Sequence, residues 1–213
     1  MRVVNLDVRN IVDYHTTDQL MRQMQMDRIE QHIGDTLLVL EHPEVVTIGP
    51  KARNEGKRPP LDYAIFDVDR GGGLTWHGPG QLVLYPIFLW DFDNENSVQK
   101  IIYKIEEWVI QALSPFEIHG TRDERMQGVW VDGHKICSIG LSFLRWVSRH
   151  GFTINYNTPP GRVEGVQGCG LEANTTTSLH QLGYEIEKED LLNSLIDSMP
   201  MCMDRKVLDN LPM

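Results

Sequence analysis

Short apolar runs crowd this chain, and helices do not separate them in a regular way. The longest is residues 82–90 (LVLYPIFLW), nine residues interrupted by Pro86. Strand character also marks residues 2–8, 36–40, 45–48, 128–131, 136–143 and 152–157. Strict β–α alternation would build a doubly wound parallel sheet. Clustered strands instead predict an α/β fold of the α+β kind, with a mixed, largely antiparallel sheet and helices packed on it. Helical periodicity is clearest over residues 98–113. There Val98, Ile101, Ile102, Ile105, Val109, Ala112 and Leu113 fall on one face behind Ser97, a good N-cap. Two more helices are predicted, over 17–33 up to Gly34 and over 188–198 with Leu191, Leu192 and Leu195 on its buried face. With 213 residues and no repeat or linker, residues 1–213 read as a single domain.

Several function classes fall away. A net charge of −10 disfavours nucleic acid, whose phosphates need a basic face. Nine apolar residues are far short of the roughly 20 needed to cross a bilayer. Cys137, Cys169 and Cys202 are too few and too far apart for a disulfide framework or a zinc site. No leader is legible at the start, so a cytoplasmic location is expected; the chain is also expected to be a monomer. The eight histidines include no pair spaced for a metal on a helix, so no metal site is expected. Gly73-x4-Gly78 is followed by Pro79 rather than Lys, which removes the P-loop reading.

Four segments carry chemistry. Residues 70–81 (RGGGLTWHGPGQ) read as a stiff loop before a strand, where missing Cβ atoms let a ligand lie against the backbone and His77 meets it. A structural glycine turn is the alternative, and Arg70 taken alone reads as a solvated arginine. Residues 128–140 (GVWVDGHKICSIG) form a hairpin turning at Asp132-Gly133. Lys135 in its second strand is either an exposed edge-blunting cation or a buried base beside a nucleophile. Residues 150–157 (HGFTINYN) give a strand opened by His-Gly. Residues 165–171 (GVQGCGL) place Cys169 between glycines. That arrangement exposes a sulfur and frees amides for an oxyanion, although free cysteine is usually a core hydrophobe. Cys137, on an apolar strand, reads as inert.

Taken together, these blocks resemble the lipoyl(octanoyl) transferase family, the octanoyl-acyl carrier protein:protein N-octanoyltransferases. The resemblance spans residues 36–180 and also includes 41–49 (EHPEVVTIG) and TSL at 177–179. It implies a fold related to biotin and lipoate protein ligases. It implies Cys169 as nucleophile and Lys135 as its catalytic partner. Acyl and thioester contacts would come from Arg70, Gly71, Gly72, Gly73, Leu74, Thr75, Trp76 and His77, from Ser138, Ile139 and Gly140, and from Gly151, Phe152 and Thr153. The donor would be octanoyl-acyl carrier protein, which brings its own phosphopantetheine, so no resident cofactor is expected. Acceptors would be lipoyl domains of 2-oxoacid dehydrogenase complexes and a glycine-cleavage H-type protein. The chain departs from the family pattern at Gly168, Val163 and Thr176, where proline, an aromatic residue and valine are usual. Competing readings are an ATP-dependent lipoate or octanoate ligase, a thioesterase using the same cysteine, and a catalytically silent binder.

Acyl carrier proteins and lipoyl domains are usually acidic, so a docking surface on this acidic chain would need local cations. Residues 51–58 (KARNEGKR) and 145–150 (RWVSRH) are the two candidate clusters.

Overall fold

The computed structural model describes residues 1–56, 58–59, 62–166 and 175–208. Its main sheet has seven strands: β1 (Arg2–Ile11), β2 (Asp35–Glu41), β6 (Gln81–Ile87), β7 (Val129–Val131), β8 (His134–Leu144), β9 (Val147–Asn155) and β10 (Arg205–Val207). Their spatial order is β10-β1-β2-β6-β9-β8-β7. β1 runs parallel to β10 and β2, and every other pairing is antiparallel. A second sheet has the order β4-β3-β5 and joins β4 (Ala64–Asp67), β3 (Val45–Ile48) and β5 (Leu74–His77). The expected mixed, largely antiparallel architecture is therefore the one found.

Both faces of the main sheet are covered. This explains why its central strands read as unbroken apolar runs. Successive strand residues point to opposite faces. Leu37, Val39, Leu82 and Leu84 pack with α3 (Val98–Leu113) and α5 (Lys188–Met203). Leu38, Leu40, Val83 and Tyr85 pack with Met21 and Met24 of α1 (Tyr14–Ile29). No helix among the described residues is long and apolar enough to cross a membrane.

Helix ends account for three differences from the sequence reading. α1 starts three residues earlier than expected, because Asp13 caps it by accepting from the Thr16 amide at 2.9 Å. It ends at Ile29 rather than running to Gly34. Gln31 takes a left-handed φ of 64°, and the His32 amide reaches back to the Asp27 carbonyl at 2.8 Å, closing a Schellman turn without glycine. α5 continues past Pro200 because Met199, Cys202 and Met203 beyond Ser198 bury against the core.

β10 was not legible as a strand. It is held by Arg205, which is fully buried and donates to Asp35 at 3.0 Å and Glu95 at 2.6 Å, both also fully buried. Removing one member of such a network leaves uncompensated charge in the interior. Arg205→Met should therefore lower unfolding free energy by about 3 kcal/mol or more in urea titrations. A loss below about 1 kcal/mol would show the network to be dispensable.

Candidate active site

Residues 70–81 do not form one loop. Leu74–His77 is strand β5, antiparallel to β3, and only 70–73 and 78–80 turn. The glycine density hid a strand whose side chains are mostly buried. Arg70 is not solvated. It is 7% exposed, and its guanidinium donates to Thr47 Oγ1 and Thr75 Oγ1 at 2.7 Å and to the carbonyls of Gly71 at 2.9 Å and Gly73 at 3.1 Å. The glycine turn is wrapped around this cation. The Gly71 amide ties it to the Leu141 carbonyl of β8 at 3.1 Å.

The hairpin prediction holds. Asp132 and Gly133 take positive φ of 49° and 78°, as a type I′ turn requires. Lys135 is 4% exposed, which rules out the edge-blunting reading. A Cβ on Gly128 would lie 2.6 Å from Lys135 Cε and 2.2 Å from the Cys137 carbonyl, so the lysine stem passes where only glycine leaves room. Gly140 plays the same part for the arginine: a Cβ there would meet Arg70 Cδ at 2.8 Å.

These pieces share one cavity of about 270 Å³. That is just below the usual small-ligand range of about 300–1,000 Å³. Arg70, Gly71, Gly72, Gly73, Leu74, Thr75, Trp76, Lys135, Ser138, Ile139 and Gly140 line it. His77, Gly151, Phe152 and Thr153 do not; they line an adjoining cavity of about 30 Å³. Gln81, Asn155, Val166 and Lys51 also line the larger cavity without having been expected to, as does Val163, the family departure. Gln81, Asn155 and Val166 lie inside quoted blocks, Lys51 in the first basic cluster, and Val163 at a departure from the family pattern, so a signal was present for each; that they share one cavity became visible only in the fold. Cys169 and residues 167–174 around it lie outside the described residues. Cys137 is buried, and burial pushes its thiol up to about 12, in keeping with an inert role.

The second basic cluster is split by the fold: Arg145 is exposed and Arg149 is not. Arg149 is 5% exposed and pairs with Asp69 and, at 3.6 Å, with Asp18. In the first cluster Arg53 is tied to the carbonyls of Ile48 at 2.7 Å and Val68 at 2.9 Å. Lys57 lies outside the described residues, and Lys51 lines the cavity.

Three imidazoles, His42, His77 and His150, are buried, and the last two line the smaller cavity. Desolvation lowers the pKa of all three, to about 4 for His42, well below the ordinary range for His77, and downward for His150 against the pull of Asp69 at 2.8 Å. The unfolded chain would take up protons near pH 6.5 that these folded imidazoles resist. Their contribution to stability is therefore present above pH 6.5 and is lost as pH falls toward 4. His42 alone should remove about 3 kcal/mol across that window. Denaturant midpoints at pH 7, 5.5 and 4.5 check this, and a flat series would contradict it.

Comparison with known proteins fits this geometry. Residues 13–199 match the lipoyl protein ligase A/B catalytic domain. The octanoyltransferase of Caldicellulosiruptor bescii is 38% identical over 203 residues, covering 90% of this chain and 88% of that protein. This chain belongs to the octanoyltransferase family. It is an acyltransferase, as the sequence blocks implied. Among solved structures, a lipoate-protein ligase A bound with ATP superposes with a TM-score of 0.70 at 11% identity, covering 100% of this chain and 89% of that one. Biotin protein ligase from Aquifex aeolicus gives 0.55 at 13% identity, covering 96% of this chain and 70% of that one. At such identities the likeness concerns the fold, which this family member shares with both ligases.

Proposed function

We propose that the protein moves an octanoyl group from the phosphopantetheine thioester of acyl carrier protein to a lysine of a lipoyl domain, through a thioester on Cys169. The observation that carries this reading is Lys135. It is buried on the wall of the same cavity as the Arg70–Gly73 turn and residues 138–140, in a chain of the octanoyltransferase family.

Each step follows from the residues. Cysteine is a strong nucleophile but mostly thiol at neutral pH. Lys135 takes the Sγ proton as sulfur attacks the thioester carbonyl. The C–S bond to phosphopantetheine breaks, and the departing thiolate takes that proton from the Lys135 ammonium. The acceptor lysine amine then attacks the acyl-enzyme. An amide forms, Cys169 Sγ leaves, and Lys135 receives the amine's surplus proton. The turn wound around Arg70 offers a backbone floor without Cβ atoms for the chain. Val163 and Val166 add apolar wall. Thioester energy drives both steps, so no resident cofactor is needed. We place the protein in the cytoplasm as a monomer, its residues 1–213 working as one catalytic domain with 2-oxoacid dehydrogenase lipoyl domains and an H-type protein as acceptors.

An ATP-dependent ligase is the competing reading, since the superposed ligase A carries ATP. The two separate by donor. Octanoyl-acyl carrier protein should acylate a lipoyl domain without ATP, whereas free octanoate with ATP should give no product. Product from free octanoate and ATP alone would overturn the transferase reading.

A further inference from the structure

His77 lies off the larger cavity where a ligand contact was expected of it. It is 4% exposed and faces only the cavity of about 30 Å³, which has room for a water rather than an acyl chain. Its hydrogen bonds run toward Lys135. Asn155 Nδ2 donates to the Thr177 carbonyl at 3.0 Å. Gln81 Nε2 donates to Asn155 Oδ1 at 2.8 Å and to the Trp76 carbonyl at 3.1 Å. Gln81 Oε1 is then an acceptor, and His77 Nδ1–H donates to it at 2.8 Å. The Thr47 hydroxyl, which accepts from Arg70, lies 3.3 Å from His77 Nε2.

The far end of this chain grips the lysine. β8 and β9 last pair at Cys137 and Ile154, so Lys135 lies two residues beyond the reach of β9. Residues 175–177 take the place of β9 there. The Lys135 amide donates to the Thr175 carbonyl at 2.8 Å, and the Thr177 amide donates to the Lys135 carbonyl at 3.1 Å. Asn155, the last residue of β9, sets where Thr177 sits, and Thr177 Oγ1 is held in turn by Glu164 at 2.8 Å. Every link from His77 to Thr177 is at least nine-tenths buried, so water offers no substitute partner when one is broken.

We infer that His77 is a positioning residue for Lys135: through Gln81 and Asn155 it fixes Thr177, and residues 175–177 hold the lysine main chain at the cavity wall. The inference rests on the reading of Lys135 as the proton carrier.

Three variants test it. An asparagine amide can place N–H where Nδ1 stood, whereas a glutamine amide reaches the Nε2 position. His77→Gln should therefore lower kcat by about 10- to 100-fold with the donor KM within about twofold, and should move the pH–rate profile. His77→Asn should keep kcat within about threefold of wild type and keep its pH profile. Asn155→Asp retains the acceptor for Gln81 but removes the donor to Thr177. It should reproduce the His77→Gln loss, and it serves as the break should His77→Gln fail to fold. Wild-type kcat in Asn155→Asp beside a slow Lys135→Ala would overturn the inference alone. A defect confined to KM, or equal impairment of His77→Asn and His77→Gln in folded protein, would also overturn it. Wild-type turnover in Lys135→Ala would remove the underlying reading and this inference with it.

Discussion

Replacing Cys169 by alanine should reduce octanoyl transfer by at least about 10⁴-fold, to the level of uncatalysed aminolysis. The size of the loss follows from the route. Without a sulfur nucleophile the two-step exchange has no first intermediate, and the acceptor amine must attack the carrier thioester directly. Neither remaining cysteine can stand in. Cys137 is fully buried in the main core, and desolvation pushes its thiol up to about 12. Cys202 packs into the same core near the end of α5, with its thiol pushed up to about 11. Steady-state assay with octanoyl-acyl carrier protein and a lipoyl domain measures the effect. Residual turnover within tenfold of wild type would remove Cys169 from the mechanism.

Lys135→Ala should lower kcat by about 10²- to 10⁴-fold, the usual range for losing a positioned proton carrier, with little change in donor KM. Both half-reactions should slow, because the cysteine and the acceptor amine each lose a proton. Lys135→Arg is the sharper control. It keeps a cation, but a guanidinium does not release its proton in this pH range, so arginine should rescue little if proton transfer is the role. Full rescue by arginine would assign the side chain a purely electrostatic part. Single-turnover rates of enzyme acylation and of transfer to the lipoyl domain separate the two steps.

How much of this was legible depended on whether a signal was local. α3 matched its expected bounds because its apolar face and its cap, Ser97 accepting from the Lys100 amide at 3.3 Å, lie within one stretch of chain. The Asp132-Gly133 hairpin matched because two residues specify the turn. Of the second sheet only its middle strand, Val45–Ile48, registered. Ala64–Asp67 is largely exposed, with no apolar alternation, and Leu74–His77 was masked by its glycines. Counting cations misjudged Arg149, because only the fold shows Asp69 and Asp18 beside it. The blocks around Arg70 and Lys135 stood out in the sequence, and the fold brings both to one cavity. The link between them was not legible, because Gln81 and Asn155 meet only through cross-strand pairing 74 residues apart in sequence.

Intact-protein mass spectrometry after brief incubation with octanoyl-acyl carrier protein reads out the covalent acyl-enzyme on Cys169. One octanoyl-sized adduct should appear on the wild-type chain, be discharged by adding a lipoyl domain, and be missing from Cys169→Ala. An adduct that persists in Cys169→Ala, or wild-type turnover with no adduct even when the acceptor is withheld, would contradict it.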